Sequence, residues 1–370
     1  MNEFFPTVGI IGAGQLARMC VGPAADLGIN LLLLAQQSDD SAAQIANHVI
    51  GDYNDVSTVL EFAKKCDVVT FEHELVPLSV IKAIEAAGIA VRPNSAAFVY
   101  SQDKSEMRQK LSRFPTPEFQ VITSAAGIEK YPLIAKSISG GYDGRGVWKI
   151  TSKEELSKLI SEVGKVLIEE FIEFDFEIAI MVARSPHGQV STWAPTETVQ
   201  VDGICTMTIA PAPRLSEELS AKAQKLALDI AQELEIVGVM AVELFVKGEQ
   251  LFVNELAMRP HNSAHWTIEG SVTSQFEQHL RAVLDLPLGS TSMTSPVAVM
   301  GNILGSSKID MYRPYLHLMA RNPGLKFHHY KKDVRPGRKI GHVNLLGASV
   351  VELVQEVQHA LDYMSGEVDE

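Results

Sequence analysis

The chain is poor in cysteine and in long apolar runs. Its 370 residues include only Cys20, Cys66 and Cys205, and no two of them have metal-ligand spacing. So few cysteines exclude a disulfide framework and indicate a reducing compartment. No window of about 18 uninterrupted apolar residues occurs, which argues against a membrane span. The opening MNEFFPTVGIIGAG lacks the pattern of a secretory signal. We therefore expect a cytoplasmic protein that does not bind membranes.

Positive charge is also scarce. The chain has 32 Lys and Arg against 45 Asp and Glu, which gives a net charge of -13. Such a balance disfavours nucleic acid as a partner, because binding to nucleic acid needs clustered basic side chains. It leaves room for a phosphorylated small molecule, which needs only a few local cations. The length predicts roughly two or three domains.

Short apolar runs alternate with helical patterns near the N-terminus. Strands are predicted at residues 8–11, 31–34, 68–71 and 89–91, and helices at 15–27, 56–66 and 78–87. This alternation predicts a parallel sheet with helices on its faces. We place the first domain at residues 1–95.

Two further units follow. A helix is predicted over residues 95–111, then two strand-like runs around a glycine-rich centre between 133 and 150, a helix at 153–163 and a strand at 166–168. We place this small α+β unit at residues 96–175. Residues 176–370 carry more antiparallel signals, with strands predicted at 177–182, 238–246 and 250–256 and helices at 219–234 and near the end.

The first candidate site is the glycine turn, residues 12–17 (GAGQLA), between a strand and a helix. Backbone N–H groups at such a helix start can bind phosphate. A dinucleotide site would need an acid at the tip of the next strand, and Gln36 follows that strand instead. Phosphate binding and a purely structural tight turn both remain open.

The second is the glycine loop, residues 140–146 (GGYDGRG), which follows Lys136 and lies between two strands. It is not a Walker A loop, in which the lysine follows the glycines and a helix comes next. A loop of this kind can fold over a triphosphate, with Lys136 supplying positive charge.

The third is a pair of carboxylates, Glu243 and Glu255, on two apolar strands joined by a Lys247-Gly248 turn. A three-residue loop places Glu243 opposite Glu255, whereas a two-residue loop places Asn254 there, and the pattern does not decide between them. Facing carboxylates repel one another. A divalent cation resolves that repulsion, and Mg²⁺ bound together with nucleotide phosphates suits so few oxygen ligands.

Two basic stretches complete the set. Arg259 and His261 follow the second strand and suit anion or carbonyl recognition, while His265 is equally consistent with a structural role. The basic segment, residues 330–344 (YKKDVRPGRKIGHVN), concentrates five cations in an acidic chain. A charge run is usually a solvated face, but the Pro336-Gly337 turn favours a formed phosphate pocket.

These motifs in this order resemble the ATP-grasp superfamily, and more narrowly the N5-carboxyaminoimidazole ribonucleotide synthetases. The match runs from about Val8 to His342, and its strongest elements are GGYDGRG, NELAMRPHNSAHW and RPGRKIGHVN. The resemblance implies an α/β ATP-grasp fold of three domains. These are an N-terminal doubly wound parallel-sheet domain, a small α+β lid and a larger α+β C-terminal domain with an antiparallel sheet. Ala13, Ala17 and Ala264 replace glycines that are usual in the family. A histidine that some relatives have near the position of Gln200 is absent here.

The resemblance also implies roles for individual residues. ATP would contact Lys104, Lys136, Gly140, Gly141, Tyr142, Asp143, Gly144, Arg145, Gly146, Glu169, Glu170, Phe171, Ile172, Glu177 and Asn254. The ribonucleotide would contact Gly14, Gln15, Glu72, Tyr142, Arg259, His261, Lys332, Arg335 and Arg338. Asp143, Arg259 and His261 are the candidate catalytic residues, and Glu243 and Glu255 the magnesium ligands.

The implied reaction is the carboxylation of 5-aminoimidazole ribonucleotide by bicarbonate at the expense of ATP, through carboxyphosphate, in purine biosynthesis. ATP and Mg²⁺ are the implied cofactors, and a homodimer is expected because relatives are often homodimers. The nearest alternative is another ATP-grasp ligase, such as a formate-dependent glycinamide ribonucleotide transformylase or a biotin carboxylase-like enzyme. A nicotinamide-dependent oxidoreductase and a non-catalytic nucleotide-binding protein are more distant alternatives.

Overall fold

A computed structural model describes residues 5–140, 146–308 and 310–368. Within these residues the strands form three sheets. No helix in the described ranges is both long and apolar enough to cross a membrane.

The first sheet is parallel, as the alternating pattern predicts. Its strands are β1 (Thr7–Ile11), β2 (Asn30–Ala35), β3 (His48–Ile50), β4 (Val68–Phe71) and β5 (Ala90–Val91), in the order β3-β2-β1-β4-β5. The helices between them are α1 (Gln15–Leu27), α2 (Val56–Ala63) and α3 (Leu78–Ala86). Helix α1 has the predicted bounds and ends at Gly28, whose φ of 70° satisfies the left-handed C-cap.

The predicted helix over residues 95–111 is wrong in one respect, because two helices occupy it. They are α4 (Ser95–Gln102) and α5 (Lys104–Lys110). Asp103 between them is extended, and its side chain accepts the N–H groups of Ser105 and Glu106 as the N-cap of α5. Its backbone also bridges to Ser139. A capping acid and a tertiary contact therefore break a helix that local propensity favours.

The second sheet forms the lid. Its antiparallel strands are β6 (Phe119–Ile122), β7 (Leu133–Ser137), β8 (Val147–Ile150) and β9 (Val166–Glu170), in the order β6-β9-β7-β8. Helix α6 (Lys153–Val163) has the predicted bounds and packs Leu156, Leu159 and Ile160 into the lid core. Strands β7 and β8 are the two strands that flank the glycine loop.

The third sheet is antiparallel and has nine strands within the described residues. They are β10 (Phe176–Arg184), β11 (Val190–Thr192), β12 (Thr196–Val201), β13 (Ile204–Ala210), β14 (Gly238–Lys247), β15 (Gln250–Ala257), β16 (Val297–Leu304), β17 (Lys326–His329) and β18 (Lys339–Gly347). The accompanying helices are α7 (Glu217–Glu233), α8 (Thr267–Gly270), α9 (Gln275–Leu284), α10 (Arg313–Arg321) and α11 (Val350–Ser365), with a 3₁₀ turn at Asn262–Ala264. The expected α/β fold with an N-terminal parallel sheet, a small lid and a large antiparallel sheet is confirmed.

Helix α9 joins the first and third sheets. Its apolar side chains share one core with those of α1, on a face of the parallel sheet. His279 in α9 lies 2.9 Å, from its Nε2, to Oγ1 of Thr70 on β4, and the N–H of Val239 on β14 donates to its Nδ1 at 3.4 Å. Arg92 donates to the carbonyl of Val283 at 2.6 Å. These contacts attach α9 to the parallel sheet and to β14 of the large sheet.

Candidate active site

The carboxylate pair, Glu243 on β14 and Glu255 on β15, lies side by side on adjacent strands. The turn between the strands has two residues, because Lys247 pairs with Gln250. A two-residue turn alone would put Asn254 opposite Glu243. A β-bulge makes Asn254 an extra residue, so the register shifts and Glu255 faces Glu243. The structure thus has the two-residue turn of one alternative and the facing Glu243 and Glu255 of the other.

Each member of the carboxylate pair has a nitrogen group beside it. Lys104 makes an ion pair with Glu255, and Nε2 of His261 lies 3.1 Å from Oε1 of Glu243. Burial acts to raise the pKa of Glu243, but the hydrogen bond from His261 opposes this and holds that pKa below its usual value. The pKa of Glu177 on β10 shifts in the opposite direction. Glu177 lies two residues before Ala179, which pairs with Glu243. Burial, followed by repulsion from Glu243, raises its pKa to about 7.

Beside the carboxylate pair lies a buried ring of four residues: Arg108, Glu169, Lys136 and Asn254. Glu169 accepts from Nε of Arg108 at 2.5 Å and lies 2.8 Å from Nζ of Lys136. Lys136 also donates to Oδ1 of Asn254 at 3.0 Å. Burial acts to raise the pKa of Glu169, but Lys136 and Arg108 outweigh it and hold that pKa below its usual value. The ring therefore carries two cations and one anion out of water.

The residues expected around adenine lie at the end of β9. The Glu169 side chain is committed to the buried ring, whereas Glu170 is exposed and Ile172 is buried. Phe171 has Nζ of Lys149 4.1 Å from its ring centroid. Of the glycine loop, Gly140 and Gly146 are described, with φ of 72° and 76°. The expected contacts at Gly141, Tyr142, Asp143, Gly144 and Arg145 lie outside the described residues.

The glycine turn is occupied by a side chain. The Glu72 carboxylate accepts the N–H of Gly14 and, at 3.1 Å, the N–H of Leu16. A Cβ on Gly14 would lie 2.2 Å from Oε1 of Glu72, and one on Gly12 would lie 2.9 Å from Oε2. Burial raises the pKa of Glu72 despite those two backbone hydrogen bonds. The absence of side chains at these glycines thus lets a carboxylate reach the start of α1, where the helix dipole favours it.

A cavity of about 510 Å³ joins this turn to the basic segment. Among its lining residues are five of the expected ribonucleotide contacts: Gly14, Glu72, Lys332, Arg335 and Arg338. Lys332 also hydrogen-bonds Gln15, and burial lowers its pKa. Ser41 and Gln44 of the first domain donate to the carbonyls of Tyr330 and Lys331, at 2.5 and 3.0 Å. Residues about 300 positions apart in sequence therefore form one polar pocket.

Arg259 and His261 lie between the cavity and the carboxylate pair. Nη2 of Arg259 is 3.4 Å from Oε2 of Glu74, whose other oxygen accepts the N–H of Met258 at 2.8 Å. Arg259 acts electrostatically on Glu72. His261 reaches Glu243 in the other direction, so the two residues connect both halves of the cleft.

His265, in contrast, is structural. It is buried, it contacts Nε2 of Gln275 at 3.0 Å through Nδ1, and burial puts its pKa well below the usual value. Gln275 also accepts the N–H of His261 at 2.7 Å and donates to its carbonyl at 2.8 Å. A single amide therefore fixes the backbone that carries His261.

Three residues of the site escaped the sequence reasoning. Arg108 follows Lys104 by four positions, which on a helix places the two on one face, and this spacing could have pointed to it. Glu74 lies two residues after Glu72, an expected ribonucleotide contact, and this proximity could have pointed to it. Gln275 carries no local pattern that distinguishes it from a surface glutamine.

The arrangement suits an enzyme that uses a nucleotide to modify a second, phosphorylated molecule. Among the described residues no three His, Cys, Asp or Glu side chains come together as a metal-holding group. A cation at the carboxylate pair would therefore need further oxygens, which nucleotide phosphates can provide. The fold and the site define an ATP-grasp enzyme, an ATP-dependent ligase.

Comparisons with known proteins identify the family. Residues 5–102 match the ribonucleotide synthetase preATP-grasp domain, residues 107–276 the ATP-grasp domain, and residues 298–356 the phosphoribosylaminoimidazole carboxylase C-terminal domain. The chain belongs to the N5-carboxyaminoimidazole ribonucleotide synthase family.

Individual relatives match over most of their length. The N5-carboxyaminoimidazole ribonucleotide synthase of Mycobacterium bovis is 44% identical over 377 residues, covering 97% of this chain and 88% of that one. The enzyme of the same name from Corynebacterium ammoniagenes is 42% identical, with 97% and 92% covered. The crystal structure of N5-carboxyaminoimidazole synthase from Aspergillus clavatus, in complex with ADP and 5-aminoimidazole ribonucleotide, superposes with a TM-score of 0.87. It is 30% identical and covers 98% of this chain and 99% of that chain.

Proposed function

We propose that this chain carboxylates 5-aminoimidazole ribonucleotide. ATP, bicarbonate and the ribonucleotide give N5-carboxyaminoimidazole ribonucleotide, ADP and phosphate. The observation that carries the proposal is the 510 Å³ cavity, which brings the glycine turn and the basic segment together beside a nucleotide site of ATP-grasp type. The family's C-terminal domain match, which includes the whole basic segment, favours this substrate over those of the formate-dependent and biotin-dependent relatives.

The nucleotide binds at the carboxylate pair. Lys104 and Lys136 approach it from α5 and the lid, and both meet the triphosphate. Glu177 receives the ribose hydroxyls, which a half-protonated carboxyl near neutral pH can bond as donor or acceptor. Glu243 and Glu255, with the amide oxygen of Asn254, would hold Mg²⁺. Their fit rests on the donor set, since carboxylate and amide oxygens are the ligands this hard cation prefers. When bound, Mg²⁺ supplies charge neutralisation to the phosphates.

The ribonucleotide binds in the cavity. Lys332, Arg335 and Arg338 are the cations for its phosphate, and guanidinium groups match phosphate oxygens in a bidentate manner. Glu72 and Gln15 offer acceptors for its hydroxyl and amine groups. The cavity thus has a cationic end and an acceptor end, as an aminoimidazole ribonucleotide requires.

The chemistry proceeds in two stages. A bicarbonate oxygen attacks the γ-phosphorus of ATP, which gives carboxyphosphate and ADP. Carboxyphosphate then releases CO₂ and phosphate, and the nitrogen lone pair of the amine attacks the CO₂ carbon and loses a proton. Positioning and charge neutralisation dominate such phosphoryl transfer. Arg259 holds bicarbonate, and Asp143 or His261 accepts the amine proton. The glycine loop covers the phosphates and limits hydrolysis of carboxyphosphate.

Phosphate release tests the proposal. The chain is incubated with ATP, Mg²⁺ and bicarbonate, with and without 5-aminoimidazole ribonucleotide. Stimulation by the ribonucleotide supports the assignment, and glycinamide ribonucleotide with formate, or biotin, should give none. If 5-aminoimidazole ribonucleotide does not stimulate phosphate release, the substrate assignment fails and the ATP-grasp class alone remains.

Three further proposals accompany this function. Residues 1–95 form the Rossmann-like N-terminal domain and residues 96–175 the linker helix and lid. Residues 176–370 form the C-terminal domain, which has the metal site and the substrate-binding tail. The chain works in the cytoplasm, where purine precursors are made, and it works as a homodimer. Sedimentation at micromolar concentration tests the dimer, since a monomer mass would contradict it.

A further inference from the structure

Arg108 is a buried cation that the proposed reaction leaves without a role. It lies on α5, one turn after Lys104, and its side chain has 0% exposure. A side chain enclosed to this degree cannot contact ATP or the ribonucleotide directly. Burying an unpaired guanidinium is costly, so the partners of Arg108 indicate what it is for.

Those partners close the buried ring defined above. Nε of Arg108 donates to Oε1 of Glu169 at 2.5 Å, and Oε2 of Glu169 binds Nζ of Lys136 at 2.8 Å. Lys136 donates to Oδ1 of Asn254 at 3.0 Å, and the main-chain carbonyl of Asn254 accepts from Nη2 of Arg108 at 2.8 Å. One guanidinium thereby ties the lid strands β7 and β9 to β15 of the large sheet.

The ring holds two elements of the nucleotide site. Asn254 is the extra residue of the β-bulge, and its carbonyl direction sets how the chain enters Glu255. Lys136 carries the charge that meets the phosphates, and the carboxylate it shares with Arg108 fixes its ammonium. The flat guanidinium reaches both targets at once with separate N–H groups, which a lysine ammonium cannot do in that geometry.

We propose that Arg108 is a positioning residue for the nucleotide phosphates, acting through Lys136 and the Asn254 bulge. The inference rests on the proposed function for the identity of the nucleotide site. It goes beyond that function in assigning a role to a residue that touches no substrate. Partners of this kind, one contact removed from a ligand, typically contribute 10- to 100-fold in affinity or activity.

The alternative is that Arg108 only stabilises the fold. In that case, replacing Arg108 lowers the melting temperature but leaves each folded molecule fully competent. If Arg108 has a positioning role, its replacement weakens nucleotide binding in molecules that remain folded. The KM for 5-aminoimidazole ribonucleotide then stays nearly unchanged, because the cavity lies elsewhere.

Arg108→Lys separates the two roles, since it keeps the charge beside Glu169 and loses the second donor to Asn254. The matched control is Lys110→Met on the same helix, which removes a cation paired with Glu233 at 2.8 Å on the surface. Binding of ADP with Mg²⁺ is measured by calorimetry at least 10 °C below each melting temperature, and KM for ATP by phosphate release. We expect ADP binding to weaken 10- to 100-fold and KM for ATP to rise similarly in Arg108→Lys, with changes under about twofold in the control.

Folded Arg108→Lys that binds ADP like the wild type would overturn the proposal. If the variant does not fold, the wild-type protein still decides, through the ¹⁵N-resolved Nε–H resonance of Arg108. This resonance should shift on saturation with ADP and Mg²⁺ while that of surface Arg113 stays in place, and a resonance that does not respond overturns the proposal. ADP binding needs no turnover, so failure of the substrate assignment would leave this test intact.

Discussion

Replacing Glu169 by glutamine should destabilise the protein far more than a single surface change. The glutamine keeps the size of the side chain and removes the only negative charge of the buried ring. Arg108 and Lys136 then face each other across an amide that can accept from one of them and must point its NH₂ group at the other. Two cations would remain out of water without a counter-ion.

The magnitude follows from how completely the ring is enclosed. The side chains of Arg108, Glu169 and Lys136 are 0%, 2% and 8% exposed, so water can screen little of the lost interaction. Removing one partner of a buried ion pair typically costs about 3–5 kcal/mol. We expect the free energy of unfolding to fall by that amount in Glu169→Gln.

Urea unfolding followed by circular dichroism measures the change, and the adjacent residue supplies the control. Glu170 is exposed, and its carboxylate accepts the N–H of Glu118 at 3.3 Å. Glu170→Gln should stay within about 0.5 kcal/mol of the wild type. A loss below about 1 kcal/mol in Glu169→Gln would refute the reasoning, because it would mean that the two cations find water or another anion in the folded protein.

Three other predictions concern Gly14 in the glycine turn, His279 in α9 and Glu177 on β10. Gly14→Ala puts a Cβ 2.2 Å from the Glu72 carboxylate, so KM for 5-aminoimidazole ribonucleotide should rise about tenfold, roughly 1.4 kcal/mol, with KM for ATP little changed; equal effects on both would contradict this. Burial lowers the pKa of His279 to about 4 from 6.5, so its neutral form stabilises the fold fully above pH 6.5. About 3 kcal/mol of the free energy of unfolding is lost as pH falls to 4. Urea unfolding at pH 7 and 4.5 should show this loss in the wild type and not in His279→Gln. Parallel losses in the two proteins would count against the prediction. Burial raises the pKa of Glu177 to about 7 from 4.5, so its ionisation costs stability as pH rises through that range. Glu177→Gln should remove this dependence in thermal unfolding at pH 5 and 8, and curves that keep the wild-type slope would argue otherwise.

The sequence predicted those parts of the fold that local chemistry determines. Helices α1 and α6 have the expected bounds because Gly28 and Gly164 supply positive φ where each helix ends. The parallel sheet followed from the alternation of strands and helices. Strand β16 and helix α9 were not predicted, although both carry a local signal. Phe276, Leu280 and Val283 of α9 recur at helical spacing, and β16 is a short apolar run of the kind that buried strands show.

The site was predictable in composition and less so in contacts. The carboxylate pair, Lys136 and the basic segment were all recognised from residue type and order. Glu72 at the glycine turn was not expected to bond Gly14, because that contact joins two loops 58 residues apart. The broken helix at Asp103 has a similar cause, since its backbone bridge to Ser139 depends on the folded lid.

The bulge at Asn254 adds an amide to the strand, but the facing of Glu243 and Glu255 does not depend on it. With that one residue deleted, the two-residue turn at Gly248 would still bring Glu243 and Glu255 face to face, and every other pairing of the hairpin would survive unchanged. The insertion is therefore not what aligns the acids. It adds, next to Glu255, an amide whose Oδ1 accepts from Lys136 at 3.0 Å, without giving up either acid.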